Sequence, residues 1–184
     1  MTITFVIIAT LLGYYRVLNA IKNGTAKPNC LSWMIWACIS IALLVASIKV
    51  GSALSTIILL AIYSLGAILT AIASRKHVSK LNGFEIAAIC VATLSVVGWI
   101  INDNASIALL LLVSAHLCGT VLTLVSTWDA PRSEDRMMWF LFALGNILNL
   151  FLINWISWTD WLFPIYETIS CLSIWILTFR RKFD

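Results

Sequence analysis

Seven apolar runs, each about twenty residues long, follow one another along the chain with short polar connections between them. A helix rises about 1.5 Å per residue, so such a run crosses the roughly 30 Å hydrocarbon core of a bilayer. A helix also pairs its own backbone polar groups, which lipid cannot do. The predicted spans are Ile3–Ile21, Leu31–Ile48, Ala53–Ala73, Phe84–Ile101, Ala105–Val125, Met137–Trp155 and Asp160–Phe179.

The composition agrees with this pattern. Apolar residues make up 61% of the 184 residues, charged residues make up 11%, and the mean hydropathy is +0.99. Soluble domains are about 45–50% apolar and about 25% charged. We therefore predict an all-α integral membrane seven-helix bundle, which excludes an appended catalytic domain, a nucleic-acid reader and a disulfide-stapled module.

The basic residues predict the orientation of the bundle. Seven spans place the termini on opposite faces, and of 12 lysines and arginines only Lys49 falls on the face of the N-terminus. Basic residues near span ends stay in the cytoplasm. We expect a multi-pass protein of the bacterial inner membrane, with its N-terminus outside and its C-terminus cytoplasmic. The residues on the cytoplasmic face are Arg16, Lys22, Lys27, Arg75, Lys76, Lys80, Arg132, Arg136, Arg180, Arg181 and Lys182.

An internal repeat divides the chain. Matches at an offset of 103 positions include Pro28 with Pro131, Trp36 with Trp139, and Tyr63 with Tyr166. With only 3 prolines and 4 tyrosines in the chain, these matches are unusual. We predict two parallel three-helix repeats, residues 1–76 and 105–184, joined by a linker helix in residues 77–104 (3+1+3). Parallel repeats are typical of transporters with a site between the halves, so we expect a hydrated, solute-sized gap there; duplication kept for packing alone is the alternative.

Polar residues inside the spans are the candidate site, because ionisable groups are costly in lipid. They are His116, Asn146, Asn149 and Glu167, all in the second repeat. We predict that they bind solute, while the first repeat supplies shape and aromatic surface. Asparagines that hold helices together, and a histidine satisfied within the bundle, are the alternatives. If His116 and Glu167 face one cavity, proton coupling becomes a hypothesis, since histidine changes charge near physiological pH.

Four aromatic residues complete the candidate substrate-binding set. Tyr63 and Tyr166 are equivalent in the repeat and suit a pair facing a central cavity, with symmetric packing as the alternative. Trp36 and Trp139 are equivalent as well. Tryptophan favours membrane interfaces, so the interfacial belt is the favoured interpretation of both, and also of Trp33. The alternative interpretation of Trp36 and Trp139 is a stacking surface for a ligand.

Two stretches carry a resemblance to a known family. Residues 27–36, KPNCLSWMIW, are similar to the entry into helix 2 of the PQ-loop and SWEET superfamily. Residues 145–150, GNILNL, resemble the middle of its helix 6. The family's Pro-Gln pair is absent, and its places hold Gly13-Tyr14 and His116-Leu117. The resemblance implies a 3+1+3 transporter of sugars, amino acids or similar metabolites.

These features together predict a transporter, a facilitator or a proton-coupled carrier, that moves a small polar metabolite by alternating access. An uncharged or zwitterionic solute suits the few polar residues. We expect no enzyme, cofactor, metal or nucleic-acid partner, because no catalytic or metal-ligand spacing occurs in the spans. The bilayer is the other predicted partner, and a homo-oligomer is left open. A non-transporting receptor or an assembly protein of the same fold is the alternative.

Overall fold

The computed structural model of the protein describes residues 3–77, 82–101 and 104–180. This part of the chain is all-helical and contains no β-strand. Its seven long helices are α1 (Ile3–Lys22), α2 (Cys30–Val50), α3 (Leu54–Ser74), α4 (Gly83–Ile101), α5 (Ala105–Asp129), α6 (Arg136–Leu150) and α7 (Trp158–Leu177). The predicted all-α seven-helix bundle is confirmed.

Several helix boundaries have a local cause in the sequence. The side chains of Asn29 and Asp135 accept hydrogen bonds from backbone N–H groups in the first turns of α2 and α6. Such residues are preferred N-caps because the first N–H groups of a helix lack intrahelical partners. At the end of α2, Gly51 adopts a left-handed φ of 72°, which glycine reaches without steric cost. The apolar pattern therefore predicts the spans, and polar residues in the connections fix where helices begin and end.

The first five helices are each long and apolar enough to cross a membrane. Large apolar side chains also cover the outside of the bundle, such as Leu94 and Ile101, which are 70% and 77% exposed. Because lipid tails are as apolar as these side chains, exposure of this kind is suited to a bilayer. The chain is a multi-pass membrane protein.

The sixth span differs from its prediction. We expected a helix over Met137–Trp155, but α6 ends at Leu150 and has 15 residues. Beyond it, the Trp155 indole N–H donates to the Leu150 carbonyl at 3.0 Å, so the chain folds back on the helix end. Hydropathy reports an apolar segment and does not report where a helix stops. The prediction was wrong by five residues for this reason.

Six of the helices form a closed ring. Neighbours around the ring follow the order α1, α3, α2, α5, α7, α6 and back to α1, while α4 packs outside on α5 and α2. Exchanging α1, α2 and α3 for α5, α6 and α7 reproduces the same set of neighbours: α1 meets α6, and α5 meets α2. This pairing is what a two-fold relation between the halves would produce, although the division at residues 76 and 104 stays a prediction.

The basic residues collect at one end of the bundle, where α1, α3, α5 and α7 end and α2 and α6 begin; we call it the basic end. There Arg16 of α1 pairs with Asp135 at the start of α6 at 2.9 Å. Lys49 lies near the other end of α2, at the opposite end of the bundle. The predicted positions of Lys80, Arg181 and Lys182 lie outside the described residues.

Candidate functional site

A small cavity lies at the centre of the helix ring, with lining residues from all six ring helices. Its volume is about 20 Å³, which is room for one water molecule. Small-molecule sites usually enclose roughly 300–1,000 Å³. The expected solute-sized gap between the halves is therefore wrong for this structure, because aromatic side chains fill most of that space.

Three tryptophans form one wall of the cavity. The rings of Trp33 and Trp36 lie edge to face, 5.0 Å apart between centroids, and Trp139 lies 5.9 Å from Trp36. All three are buried, with exposed fractions of 2%, 6% and 2% for Trp33, Trp36 and Trp139. The prediction that they belong to an interfacial belt was wrong. The sequence does not distinguish a tryptophan at the membrane interface from one inside the bundle, because the difference lies in the tertiary contacts.

His116 joins the two halves at the cavity. Its ring stacks on Trp36 of α2 with centroids 5.7 Å apart, and the Trp36 indole N–H donates to the His116 carbonyl at 3.1 Å. Its Nδ1 lies 3.1 Å from the Tyr166 hydroxyl and 3.7 Å from Oε2 of Glu167. His116 is buried, with 4% of its surface exposed. Its imidazole lies between the face of Trp36 and the polar groups of Tyr166 and Glu167.

Glu167 is the carboxyl group that lines the cavity in the described structure, and His116 lines the same cavity. One carboxyl oxygen, Oε1, accepts a weak hydrogen bond from the Cys171 thiol at 3.6 Å. The other carboxyl oxygen, Oε2, has no hydrogen-bond partner, although Glu167 is buried, with 8% of its surface exposed. An unpaired buried carboxyl oxygen is costly, and it is therefore a place where a ligand or a proton can bind.

The two equivalent tyrosines have different surroundings. Tyr63 lines the cavity, and its hydroxyl accepts a hydrogen bond from the Asn146 amide across the ring. Tyr166 is half-buried beside the cavity, and its hydroxyl lies 2.7 Å from that of Thr120 as well as near His116. The polar partners of the two tyrosines therefore differ between the halves, and of the two, Tyr63 is among the described lining residues.

The asparagines connect α6 to α3. Asn146 bonds Tyr63, and the Asn149 amide donates to the Thr56 hydroxyl at 3.1 Å. Both asparagines are fully buried, and the side-chain oxygen of each has no partner. Neither lies in the cavity lining among the described residues. These contacts fit the interhelical alternative, and direct binding of solute by the asparagines stays a prediction.

Glycines give the aromatic side chains room. A methyl group on Gly119 of α5 would lie 2.6 Å from the Trp36 indole nitrogen, and one on Gly13 of α1 would lie 2.5 Å from the Phe142 ring. Each contact brings an aromatic side chain of one half against a helix backbone of the other half. The absence of a side chain at these positions is therefore needed for the close packing of the two halves.

Backbone and side-chain contacts also join the halves at both ends of the bundle. At the basic end, the Lys27 backbone N–H donates to the Ser133 carbonyl at 2.8 Å. At the opposite end, the Asp160 carboxylate of α7 accepts a hydrogen bond from the Ala53 backbone N–H at 3.3 Å. The two halves are thus hydrogen-bonded to each other at both ends of the bundle.

Glu134 lies at the basic end, outside the membrane-spanning segments. Its Oε2 accepts from the Trp139 indole N–H at 3.1 Å, while Oε1 has no partner. Burial raises the pKa of this carboxyl from 4.5 to about 8, and the Trp139 and Asn29 N–H groups only partly oppose that effect. Trp139 therefore connects the cavity wall to a buried, titratable group that the sequence did not single out.

Several residues around the cavity were not predicted from the sequence. Tyr14, Trp33 and Phe142 all line it, and the Tyr14 hydroxyl donates to the Tyr63 carbonyl at 3.1 Å. Their aromatic character alone could not distinguish them from residues that face lipid. The glycines opposite them were a usable signal, because Gly13 accommodates the Phe142 ring and Gly66 accommodates Tyr14.

No family model, curated protein or solved structure gives a significant match to this chain. The resemblance to the PQ-loop and SWEET superfamily therefore stays a prediction from two short stretches of sequence.

Proposed function

We propose that this protein is a membrane transporter that carries a small polar metabolite by alternating access. The observation that supports this most is the buried polar group left unpaired at the centre of the ring, the Oε2 atom of Glu167. A bundle kept for packing alone would gain stability by pairing or removing that carboxyl oxygen. A bound solute would supply the missing partner.

The helix arrangement supports movement of one half against the other. Contacts between the halves come in equivalent pairs, α1 with α6 and α5 with α2. Transporters built from parallel repeats bind solute where the halves meet, and the halves rock around that site. In this proposal the structure is a closed state, and each end opens by loss of its own contacts, Lys27 with Ser133 or Ala53 with Asp160.

The orientation follows the basic residues. Arg75 and Lys76 after α3, and Arg132 before α6, lie at the basic end. We propose that this end faces the cytoplasm, because basic residues flanking short connections are retained there. The N-terminus is then outside, and a bacterial inner membrane is the proposed location.

The size of the cavity defines what transport requires. A volume of about 20 Å³ holds one water molecule and no sugar or amino acid. The aromatic rings of Trp33, Trp36 and Trp139 must separate for a larger solute to enter. A proton-coupled mechanism would use His116 and Glu167, whose Nδ1 and Oε2 atoms are 3.7 Å apart.

The small cavity also favours the second candidate, a non-transporting receptor or assembly protein. In that case the ring would be a rigid scaffold, and the aromatic cluster would act as its core. The two candidates differ in whether the ring opens, which can be measured.

Uptake by reconstituted protein tests the proposal. Purified protein in liposomes should accumulate at least one labelled solute from a panel of sugars, amino acids and small amines. Glu167→Gln and His116→Ala should each reduce that uptake at least tenfold. A matched control is Glu85→Gln, since Glu85 is also buried but caps the start of α4 outside the ring.

The outcomes separate the candidates. Uptake of no solute above protein-free liposomes would overturn the transporter proposal and favour a scaffold or receptor. Uptake that both variants retain at the wild-type rate would show that the transport path does not use this cavity.

A further inference from the structure

The cavity at the centre of the ring has a distinct combination of charge and surface. It carries one carboxyl group, Glu167, and no lysine or arginine among its described lining residues. Its other walls are mainly aromatic: Tyr14, Trp33, Trp36, Tyr63, Trp139 and Phe142. The Glu167 carboxyl group is thus surrounded mainly by aromatic side chains, and no lysine or arginine stands beside it among the described lining residues.

A carboxyl group in such a place either takes up a proton or, as a carboxylate, pairs with a positive group. Transfer of an isolated carboxylate into an apolar medium is strongly unfavourable unless it is paired. The basic group nearest to it, His116, has its Nδ1 3.7 Å from Oε2, beyond hydrogen-bond distance. The same Nδ1 lies closer to the Tyr166 hydroxyl, at 3.1 Å. The side chains present therefore leave the Glu167 oxygen available to a donor from outside the protein.

The aromatic walls favour the same kind of ligand. The faces of tryptophan and tyrosine rings attract cations, most strongly where water is excluded. The Trp33 and Trp139 rings lie 6.3 Å apart between centroids and are both buried. The cavity, with room for one water molecule, is also the size of an ammonium head group.

We infer that the site selects a protonated amine, so that the solute is a small organic cation or carries an ammonium group held by Glu167 among the aromatic rings. This inference rests on the proposed function and names its substrate class. The ammonium donates to the unpaired Oε2 atom and contacts ring faces. The indole N–H of Trp33, which is also buried and unpartnered, is available to an acceptor elsewhere on the same solute. An amino acid or an amino alcohol has both groups, whereas a neutral sugar has no cation.

Binding to the purified protein tests the inference separately from transport. Calorimetric titration at about pH 8 keeps ordinary alkyl amines protonated. Ethanolamine is compared with ethylene glycol, and putrescine with 1,4-butanediol, because each pair replaces ammonium groups by hydroxyls. The amine of at least one pair should bind at least tenfold more tightly than its neutral partner.

Substitutions then locate the selectivity. Glu167→Gln keeps the size of the side chain and should reduce the preference for the amine to less than threefold. Glu85→Gln should leave it unchanged, since Glu85 lies at the start of α4. If Glu167→Gln does not fold, as judged by its circular dichroism, propylamine and propanol are compared on wild-type protein. Propylamine should bind at least tenfold more tightly, because it carries an ammonium group that can donate to Oε2.

Equal or tighter binding of the neutral partners would overturn the inference, as would a preference that Glu167→Gln retains. Absence of binding by every amine would overturn it as well. The proposed function fails separately: amines that bind without uptake of any solute would retain the inference and exclude transport. Uptake of neutral solutes that amines do not inhibit would retain transport and exclude amine selection.

Discussion

The buried carboxyl of Glu134 makes the stability of this protein depend on pH in a direction that can be calculated. Its pKa rises from 4.5 to about 8 in the folded protein because the group is buried. Between these values the folded state binds more protons than the unfolded state. The stabilisation is therefore complete below about pH 4.5 and is lost as pH rises through about 8.

The magnitude follows from the same values. The difference between 4.5 and about 8 corresponds to about 5 kcal/mol at most, at about 1.4 kcal/mol per pH unit. Water penetration and relaxation reduce such penalties. We expect the wild-type protein to lose on the order of 2 kcal/mol of unfolding free energy from this group between mildly acidic and alkaline pH. The neighbouring Asp135 carboxylate adds to the effect.

Glu134→Gln removes this titratable group and keeps a side-chain oxygen that can accept a hydrogen bond from the Trp139 indole N–H. Its thermal midpoint in detergent should change less between about pH 5 and about pH 9 than that of the wild type, and it should be the more stable protein at the alkaline end. Asp129→Asn is the control, because Asp129 is an exposed acid close by in the chain. Parallel pH curves for wild type and Glu134→Gln would show that the folded state does not retain the Glu134 proton, and the expected pH dependence would be wrong.

Two further predictions concern packing and surface charge. Gly119→Ala should destabilise the protein by about 1–3 kcal/mol in chemical unfolding, because the added methyl group would lie 2.6 Å from Trp36. Gly83→Ala is the control and should be neutral or slightly stabilising, because nothing lies within 4 Å of its added methyl group. Equal effects of the two substitutions would contradict a packing role for Gly119. Arg16→Gln should lower the free energy of unfolding by no more than about 1 kcal/mol, since the Arg16 side chain, which pairs with Asp135, is 48% exposed. A larger loss in the same assay would mean that this ion pair is a main contact between the halves.

The fold was largely predictable because lipid imposes simple requirements on sequence. The α4 and α5 helices begin within one residue of their predicted starts, at Gly83 and Ala105. A continuous apolar run and a short polar connection are enough to locate such helices. The end of α6 at Leu150 was not predictable, since the following residues are equally apolar.

The site was only partly predictable. His116 and Glu167 were identified because ionisable residues in a span are rare. That they share a cavity depends on packing between α5 and α7, which one sequence does not contain. Trp33 was assigned to a membrane interface and Glu134 was not singled out, although both are buried. Their burial results from long-range contacts between the halves and has no local signature.

The filled interior has a similar origin. Residues such as Trp36 and Phe142 are compatible with a lipid-facing surface, an open cavity or a packed core. Which of these occurs depends on the approach of the two halves, and this depends on glycines such as Gly13 and Gly119. The sequence therefore predicted the position of a central site better than its volume.

If the two halves of the ring open alternately around the cavity, holding either end closed must stop transport. Uptake is therefore measured after each end is closed with a thiol cross-linker in a variant without native cysteines. One variant carries Lys27→Cys with Ser133→Cys at the basic end, and the other carries Ala53→Cys with Asp160→Cys at the opposite end. Each cross-link alone should abolish uptake, and its reduction should restore it. Uptake that continues at the uncross-linked rate with either end closed would contradict alternating access.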